Sequence, residues 1–454
     1  MTTDNQHIPT GYKPSPLGII PEDWEVKTLG ECTNLLTNGF VGVATPHYTE
    51  DPDGITYIQG FNVTEGGFNL TGIKKVTKTF HKKNSKSSLR EGDLLTIQTG
   101  DIGLTTIVTK ELEGSNCHAL IISRFKEMIL PQFMLYYYNS TIGRNRFRII
   151  ETGTTMKHIN TGDLVKFSIP VPSLPEQHRI VSLLSLWDTA IAKQTQLIEK
   201  LVLGKRGLMQ QLLTGKKRLK GFEGEWKKCA IKSFAKEVSI RNTNNEDYVV
   251  LSCTKYDGLV PSLEYFGKQI YSDDLSTYKV VPKNHFVYAT NHIEEGSIGY
   301  QAHYNYGLIS PMYTVFKTDK EKVDDAYLFA VLKSHHLIYL YQAMMEGSIN
   351  RRGGLRWDSF STIKVDLPSL EEQKGISAFL HNADKEIEIQ KQKLAAMQEQ
   401  KKGLMQVLLT GKRRVLYVPQ DVPQDGTQDG TQDVTQDDTQ GDTQGGTQGG
   451  TQDN

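Results

Sequence analysis

The sequence has only four cysteines, Cys32, Cys117, Cys229 and Cys253, and no C-x-x-C pair. This excludes a disulfide scaffold and a zinc ribbon, and it predicts a reducing, cytoplasmic compartment. No apolar run approaches the ~20 residues that span a bilayer, so no membrane partner is expected. The opening stretch MTTDNQHIPTGYKPSP is polar and lacks the basic-then-apolar order of a secretory signal. No Pro-Pro dipeptide occurs in the 454 residues, which removes the Asn/Asp-Pro-Pro-aromatic loop of DNA amino-methyltransferases. A phosphate-binding G-x-x-x-x-G-K-[ST] loop, an H-E-x-x-H helix and any Cys/His cluster are missing too. The chain is therefore expected not to be an enzyme, with no catalytic residues, no metal and no cofactor of its own.

Fifty-two basic residues balance 52 acidic ones, but the zero sum mixes two unlike regions. From Gln420 to Asn454 there are eight aspartates and no Lys or Arg, which leaves 52 basic against 44 acidic residues in the body. That excess permits a nucleic-acid partner without requiring one. The tail repeats Thr-Gln every four residues with Asp and Gly between. Such a composition cannot bury a core, so residues 416–454 are expected to be disordered.

An internal duplication is present. PSLPEQHRI…GLMQQLLTGK from Pro172 aligns without a gap on PSLEEQKGI…GLMQVLLTGK from Pro368, with 21 of 45 positions identical at an offset of 196. Phe222-Glu-Gly-Glu-Trp226 echoes Pro21-Glu-Asp-Trp24 ahead of it. Each copy reads as a helix of about 39 residues, with Pro175 or Glu371 in its first turn and Gly215 or Gly411 beyond its end.

Apolar residues recur in each copy with a 3.5-residue period. The first has Ile180, Leu184, Trp187, Ile191, Ile198, Leu201, Leu208 and Leu212; the second has Ile376, Leu380, Ala383, Ile387, Leu394, Met397, Leu404 and Leu408. Five heptads in register, twice, predict a coiled-coil seam between the two helices, most simply antiparallel. Gln194 and Gln390, then Lys205 and Lys401, interrupt it at equivalent places, where polar residues fix register at some expense in stability.

The regions between are mixed and β-rich. Ile55–Ile58, Asp93–Ile97, Thr105–Val108 and Leu120–Ile122 read as strands and Gln132–Tyr138 as a helix. The second region repeats the order with Tyr248–Leu251, His285–Tyr288, Met312–Phe316 and a helix from Ala326 to Leu340. Adjacent His335 and His336 point apart on a helix and read as a solvated face.

Polar and basic sets sit at matching places in the two regions. The first holds Gln59 and Asn62, then Gln98, Thr99 and Asp101, then Thr154, Thr155, Lys157 and His158. The second holds Ser252, Thr254 and Lys255, then Asn291 and His292, then Asn350, Arg351, Arg352 and Arg356. Arg pairs with guanine N7/O6 and Asn or Gln with adenine N6/N7, so these are candidate DNA-binding residues. Lys74, Lys75, Lys78, Lys82, Lys83, Lys86, Arg144, Arg146 and Arg148 are candidate phosphate contacts. The alternative for each is a solvated loop residue.

The segments Tyr12-Lys-Pro-Ser, Ile20-Pro-Glu-Asp-Trp-Glu-Val-Lys and Leu219-Lys-Gly-Phe-Glu-Gly-Glu-Trp226, with the doubled P-S-L-x-E-Q…GLMQxLLTGK, resemble the specificity subunit of type I restriction-modification systems. The resemblance implies an α+β chain. Two β-rich target-recognition domains (1–172 and 218–368) would be separated by a long antiparallel two-helix coiled coil (173–217 and 369–415), pseudo-twofold, with a disordered C-terminal tail.

It further implies that each recognition domain reads one half of a bipartite site in double-stranded DNA. Two modification subunits would methylate adenine with S-adenosylmethionine, and restriction subunits would cleave DNA with ATP and Mg. Individual base-reading residues are not carried over by the resemblance. Two rival classes stay open at this point: a stand-alone enzyme on DNA, disfavoured by the missing motifs, and a coiled-coil adaptor that binds no DNA.

Overall fold

The computed structural model describes residues 8–154, 157–346 and 354–415. Two lobes of the same construction flank a pair of long helices. Leu94-Leu-Thr-Ile97 and Phe286-Val-Tyr-Ala289 are buried at every position, so neither alternates. A strand apolar on both faces belongs inside a sheet that is covered on both sides.

Each of these strands is a central strand of an antiparallel four-stranded sheet. The first sheet runs Thr105–Ile107, Leu94–Ile97, Leu120–Phe125, Thr33–Asn38. The second runs Ile298–Tyr300, Phe286–Ala289, Tyr313–Thr318, Ala235–Val238. Numbered along the chain, both have the order third, second, fourth, first. The duplication thus extends to the lobes, where sequence identity has faded.

Two elements differ from expectation. Only Leu251 of Tyr248–Leu251 is in a strand: Leu251–Thr254 forms a hairpin with Gly258–Pro261, and Val250 makes an isolated bridge to Leu308. The helix expected from Ala326 to Leu340 is two, Asp325–Leu332 and His335–Glu346. Ser334 breaks it, its hydroxyl accepting from the Leu337 amide at 3.4 Å as a serine at a helix start does. The first lobe does the same, with Pro131–Asn139 and Thr141–Ile149 separated by Ser140, whose Oγ accepts from the Gly143 amide at 3.1 Å.

The long helices are Leu174–Leu212 and Leu370–Leu408, 39 residues each, and they pack on one another. Ile180, Leu184, Leu212, Ile376, Leu380, Ile387 and Leu408 are buried along the shared stripe. Trp187, Ile191, Ile198, Leu201, Leu208, Leu394, Met397 and Leu404 are half-buried, as two helices alone cannot enclose both flanks.

The polar interruptions meet each other. Gln194 Nε2 donates to Gln390 O at 3.1 Å and Oε1 at 2.7 Å, Lys205 pairs with Asp384, and Lys401 pairs with Asp188. Lys205 and Lys401, like Asp188 and Asp384, are 196 residues apart, so the two ion pairs are pseudo-twofold mates about the glutamines. This pairing requires antiparallel helices.

The shared P-S-L-x-E-Q motif fastens each lobe to its helix. Glu176 and Glu372 are each 1% exposed and accept from Trp24 Nε1 at 2.9 Å and Trp226 Nε1 at 3.3 Å. Gln177 accepts from the Leu130 amide at 2.7 Å and donates to Met128 O at 3.0 Å; Gln373 accepts from the Asp324 amide at 2.9 Å and donates to Lys322 O at 3.3 Å. Beyond the helix ends, Gly215 and Gly411 turn with φ +68° and +71°, as the sequence leads one to expect. Short ladders close each lobe: Glu25–Thr28 pairs with Ser168–Val171, and Lys227–Ala230 with Lys364–Leu367.

Candidate nucleic-acid interface

In each lobe one loop leaves a central strand and returns along the edge strand. In the first lobe it carries Gln98, Thr99, Gly100, Asp101 and Gly103. Thr99 and Thr152 each bridge to His158, and the Ile159 amide donates to Gln98 O at 3.1 Å. In the second lobe the Leu355 amide donates to Thr290 O at 2.7 Å, beside Asn291 and His292. Gly354 lies so close that a Cβ there would stand 2.5 Å from Thr290 O, and its φ is +65°. Both latching segments then enter short helices, which begin directly after Asn160 and Arg356. Gln98, Thr99, Asp101 and His158 therefore converge in one lobe, and Asn291, His292 and Arg356 in the other.

The hairpin carrying Lys255 approaches the second loop. A Cβ on Gly296 would lie 4.0 Å from Lys255 O, which accepts from Lys333 Nζ at 3.0 Å. Burial holds the Lys333 ammonium below the ordinary lysine value, opposed by Cys253 and Asp257. His292 Nδ1 sits 3.6 Å from Glu295 Oε1. With Glu294, their ligand atoms lie within 4.8 Å of one another, a grouping that no metal-site spacing in the sequence announces. Thr154 and Lys157 are exposed near the first loop, where Lys157 Nζ lies 3.4 Å from Glu151.

Several residues singled out by type are committed elsewhere. Asn62 is 0% exposed; its Oδ1 accepts from the Gln59 amide at 2.9 Å and its Nδ2 donates to Asn69 O at 2.8 Å, so it builds a turn and faces no ligand. Gln59 Nε2 donates to Tyr48 OH at 2.8 Å. Ser252 Oγ donates to Ser262 Oγ at 3.0 Å, and Thr254 Oγ1 caps the Asp257 amide at 2.9 Å. Arg146 donates to Tyr137 OH and Ser168 O, both at 2.7 Å, with its guanidinium 4.5 Å above the Phe167 ring, so it is a packing cation and not a phosphate contact. Arg144 pairs with Asp101. Lys75 Nζ donates to Pro52 O at 2.7 Å, and Lys78 lies 3.6 Å from Asp53. Thr155, Asn350, Arg351 and Arg352 lie outside the described residues, as does the tail 416–454.

Asn160 was not anticipated, although it holds the place of Arg356. The signal is the apolar Ile159 and Leu355, each followed by a polar residue and a short helix. Among the described residues no helix is long and apolar enough to cross a membrane.

Comparison with known proteins identifies the family. The family described as "Type I restriction modification DNA specificity domain" matches residues 21–202 and again 224–399. The MjaX and MjaVIII chains of Methanocaldococcus jannaschii, named as type I restriction enzyme specificity subunits, are 27% and 24% identical over 432 and 430 residues. The alignments cover 89% and 87% of this chain and 97% and 94% of theirs. A chain solved in a study of complex assembly and conformational transition of the type I restriction-modification system shares the fold. Its TM-score is 0.57 at 16% identity, with 87% of this chain and 99% of that chain covered. With two copies of the family's domain accounting for most of its length, the chain belongs to the type I restriction-modification DNA specificity family, the specificity subunits of those systems.

Proposed function

We propose that the chain is the non-catalytic DNA-reading component of a type I restriction-modification complex, each lobe reading one half of a bipartite site. The observation that carries this is the pseudo-twofold repetition of one device. Two equivalent loops, each latched by a backbone pairing, stand on two equivalent sheets joined by one antiparallel helix pair. Dimeric DNA binders address two half-sites with the same arrangement.

The partners are double-stranded DNA, two modification subunits and restriction subunits, and the setting is cytoplasmic. A pseudo-twofold offers two equivalent surfaces, which favours two modification subunits over one. Leu186 (65% exposed) and Leu203 (64%) add apolar area on the first long helix alone, their repeat mates being Asn382 and Glu399. S-adenosylmethionine would serve the modification subunits, and ATP and Mg the restriction subunits.

The test is methylated-adenine sequencing of DNA modified by the chain together with its modification subunits. A bipartite motif with a fixed spacer is expected, and the chain alone should transfer no methyl group. Methyl transfer by the isolated chain, or complexes with no sequence preference, would overturn the reading.

A further inference from the structure

We infer that Asp101 is a base-reading acceptor for the first half-site and that Arg144 is its positioning residue. This rests on the reading of the lobes as DNA-binding. The loop that carries Asp101 is fixed at both ends and in the middle. Its start is latched to Ile159, and a Cβ on Gly103 would lie 2.5 Å from the Phe147 ring. At its end, the Asn139 side chain accepts from the Thr105 amide at 3.0 Å and donates to Thr105 O at 2.8 Å. Gly100 and Gly103, with φ +90° and +84°, allow the tight course between.

On this rigid platform Asp101 is 60% exposed while Arg144, from the helix Thr141–Ile149, reaches it from behind with only 22% of its side chain in solvent. A bare carboxylate turned toward a phosphate backbone is repelled. Pairing with Arg144 cancels that charge and leaves acceptor capacity on an exposed, oriented group. Carboxylates in a groove accept from exocyclic amino groups, of cytosine above all. On the corresponding loop of the second lobe an acid, Glu295, also lies near a nitrogen donor, His292 Nδ1, at 3.6 Å.

The experiment selects bound DNA from a library randomised in the first half-site, using the full chain with its modification subunits. Asp101→Asn, Arg144→Gln and the double variant are compared. Asp101→Asn should relax one base-pair position of the first half-site by roughly tenfold or more and leave the second half-site unchanged. Arg144→Gln, which exposes an unneutralised acid, should weaken binding at every sequence of the first half-site. The double variant should regain affinity without regaining the base preference.

Unchanged preference at every position in Asp101→Asn, with the second half-site still read, would overturn the assignment. Equal losses in all three variants, matched by lower thermal midpoints, would also overturn it and make the pair a loop brace only. Failure of the native complex to select any bipartite sequence would instead sink the underlying reading of the lobes.

Discussion

Gln194 donates through Nε2 to both the backbone and the side-chain oxygen of Gln390, the residue 196 positions along the chain that occupies its own place in the repeat. The pseudo-twofold therefore passes between two copies of one glutamine. The ion pairs Lys205–Asp384 and Lys401–Asp188 stand on either side as each other's images. A seam of leucines alone would tolerate sliding by a heptad; these contacts satisfy their partners in one register.

The two ion pairs are internal controls for one another. Lys205→Asp and Lys401→Asp should each destabilise by about 1 kcal/mol, because each faces an acid across the helices. Adding Asp384→Lys to the first should restore nearly all the loss. Adding Asp188→Lys to the second should restore only part, because Asp188 also accepts from Tyr136 OH at 2.6 Å and a lysine cannot. Urea midpoints of the four variants measure this, and equal recovery in both swaps would count against the Tyr136 contact.

The tryptophan fasteners should differ in strength. Trp24→Phe takes a donor from Glu176, a carboxylate 1% exposed, and is expected to cost about 1–3 kcal/mol. Trp226→Phe should cost less, since its Nε1 donates to Glu372 over the longer distance of 3.3 Å. Thermal midpoints of the two variants give the order directly.

The capping glycines also separate. An alanine at Gly215 places its Cβ 3.5 Å from the Trp226 ring, an ordinary contact, and carries only the left-handed backbone penalty of about 1–2 kcal/mol. At Gly411 the Cβ would meet Pro21 Cδ at 2.4 Å, so the segment that packs on the end of the second helix must shift. Gly411→Ala should be the more destabilising by a clear margin. Equal denaturation midpoints would contradict the closure of residues 12–24 onto that helix end.

Acid should loosen the first lobe through His118, whose Nδ1 lies 3.1 Å from Tyr57 OH. Burial lowers its pKa below the ordinary 6.5. The unfolded chain then binds the proton more readily, so this contribution is present above pH ~6.5 and is lost as pH falls through the lower folded value. His285 in the second lobe is lowered chiefly by burial as well and adds in the same direction. Stability measured from pH 7 to pH 5 should fall, and fall less steeply in His118→Gln. An identical slope in the variant would rule the residue out.

The spine of the molecule was legible in the sequence. Heptad spacing, polar interruptions and terminal glycines are local signals, and each found its structural counterpart. Antiparallel packing could be anticipated because two equal helices with a lobe between them return most simply alongside each other. The candidate site was legible only as residue types. Asn62 and Arg146 have the chemistry of DNA contacts, but tertiary packing uses them up: a turn consumes one and the Phe167 ring with Ser168 O the other. Asn160 is marked in the sequence only by the apolar Ile159 before it and the short helix after it, and its nearness to the loop comes from the backbone hydrogen bond of Ile159 to Gln98. The break at Ser334 was hidden because the apolar pattern continues across it.

The central claim is that two reading lobes are held at a distance set by the paired helices. Inserting seven residues at equivalent positions of Leu174–Leu212 and Leu370–Leu408 keeps the seam in phase and lengthens the pair by about 10 Å. At ~3.4 Å per base pair, this asks for about three more spacer base pairs, with a rotation of about a quarter turn or more for the DNA to absorb. Methylated-adenine sequencing with the lengthened chain and its modification subunits should return the same two half-sites separated by a longer spacer, at reduced efficiency. Robust methylation with both half-sites and the original spacer unchanged would show that the helices do not set the distance.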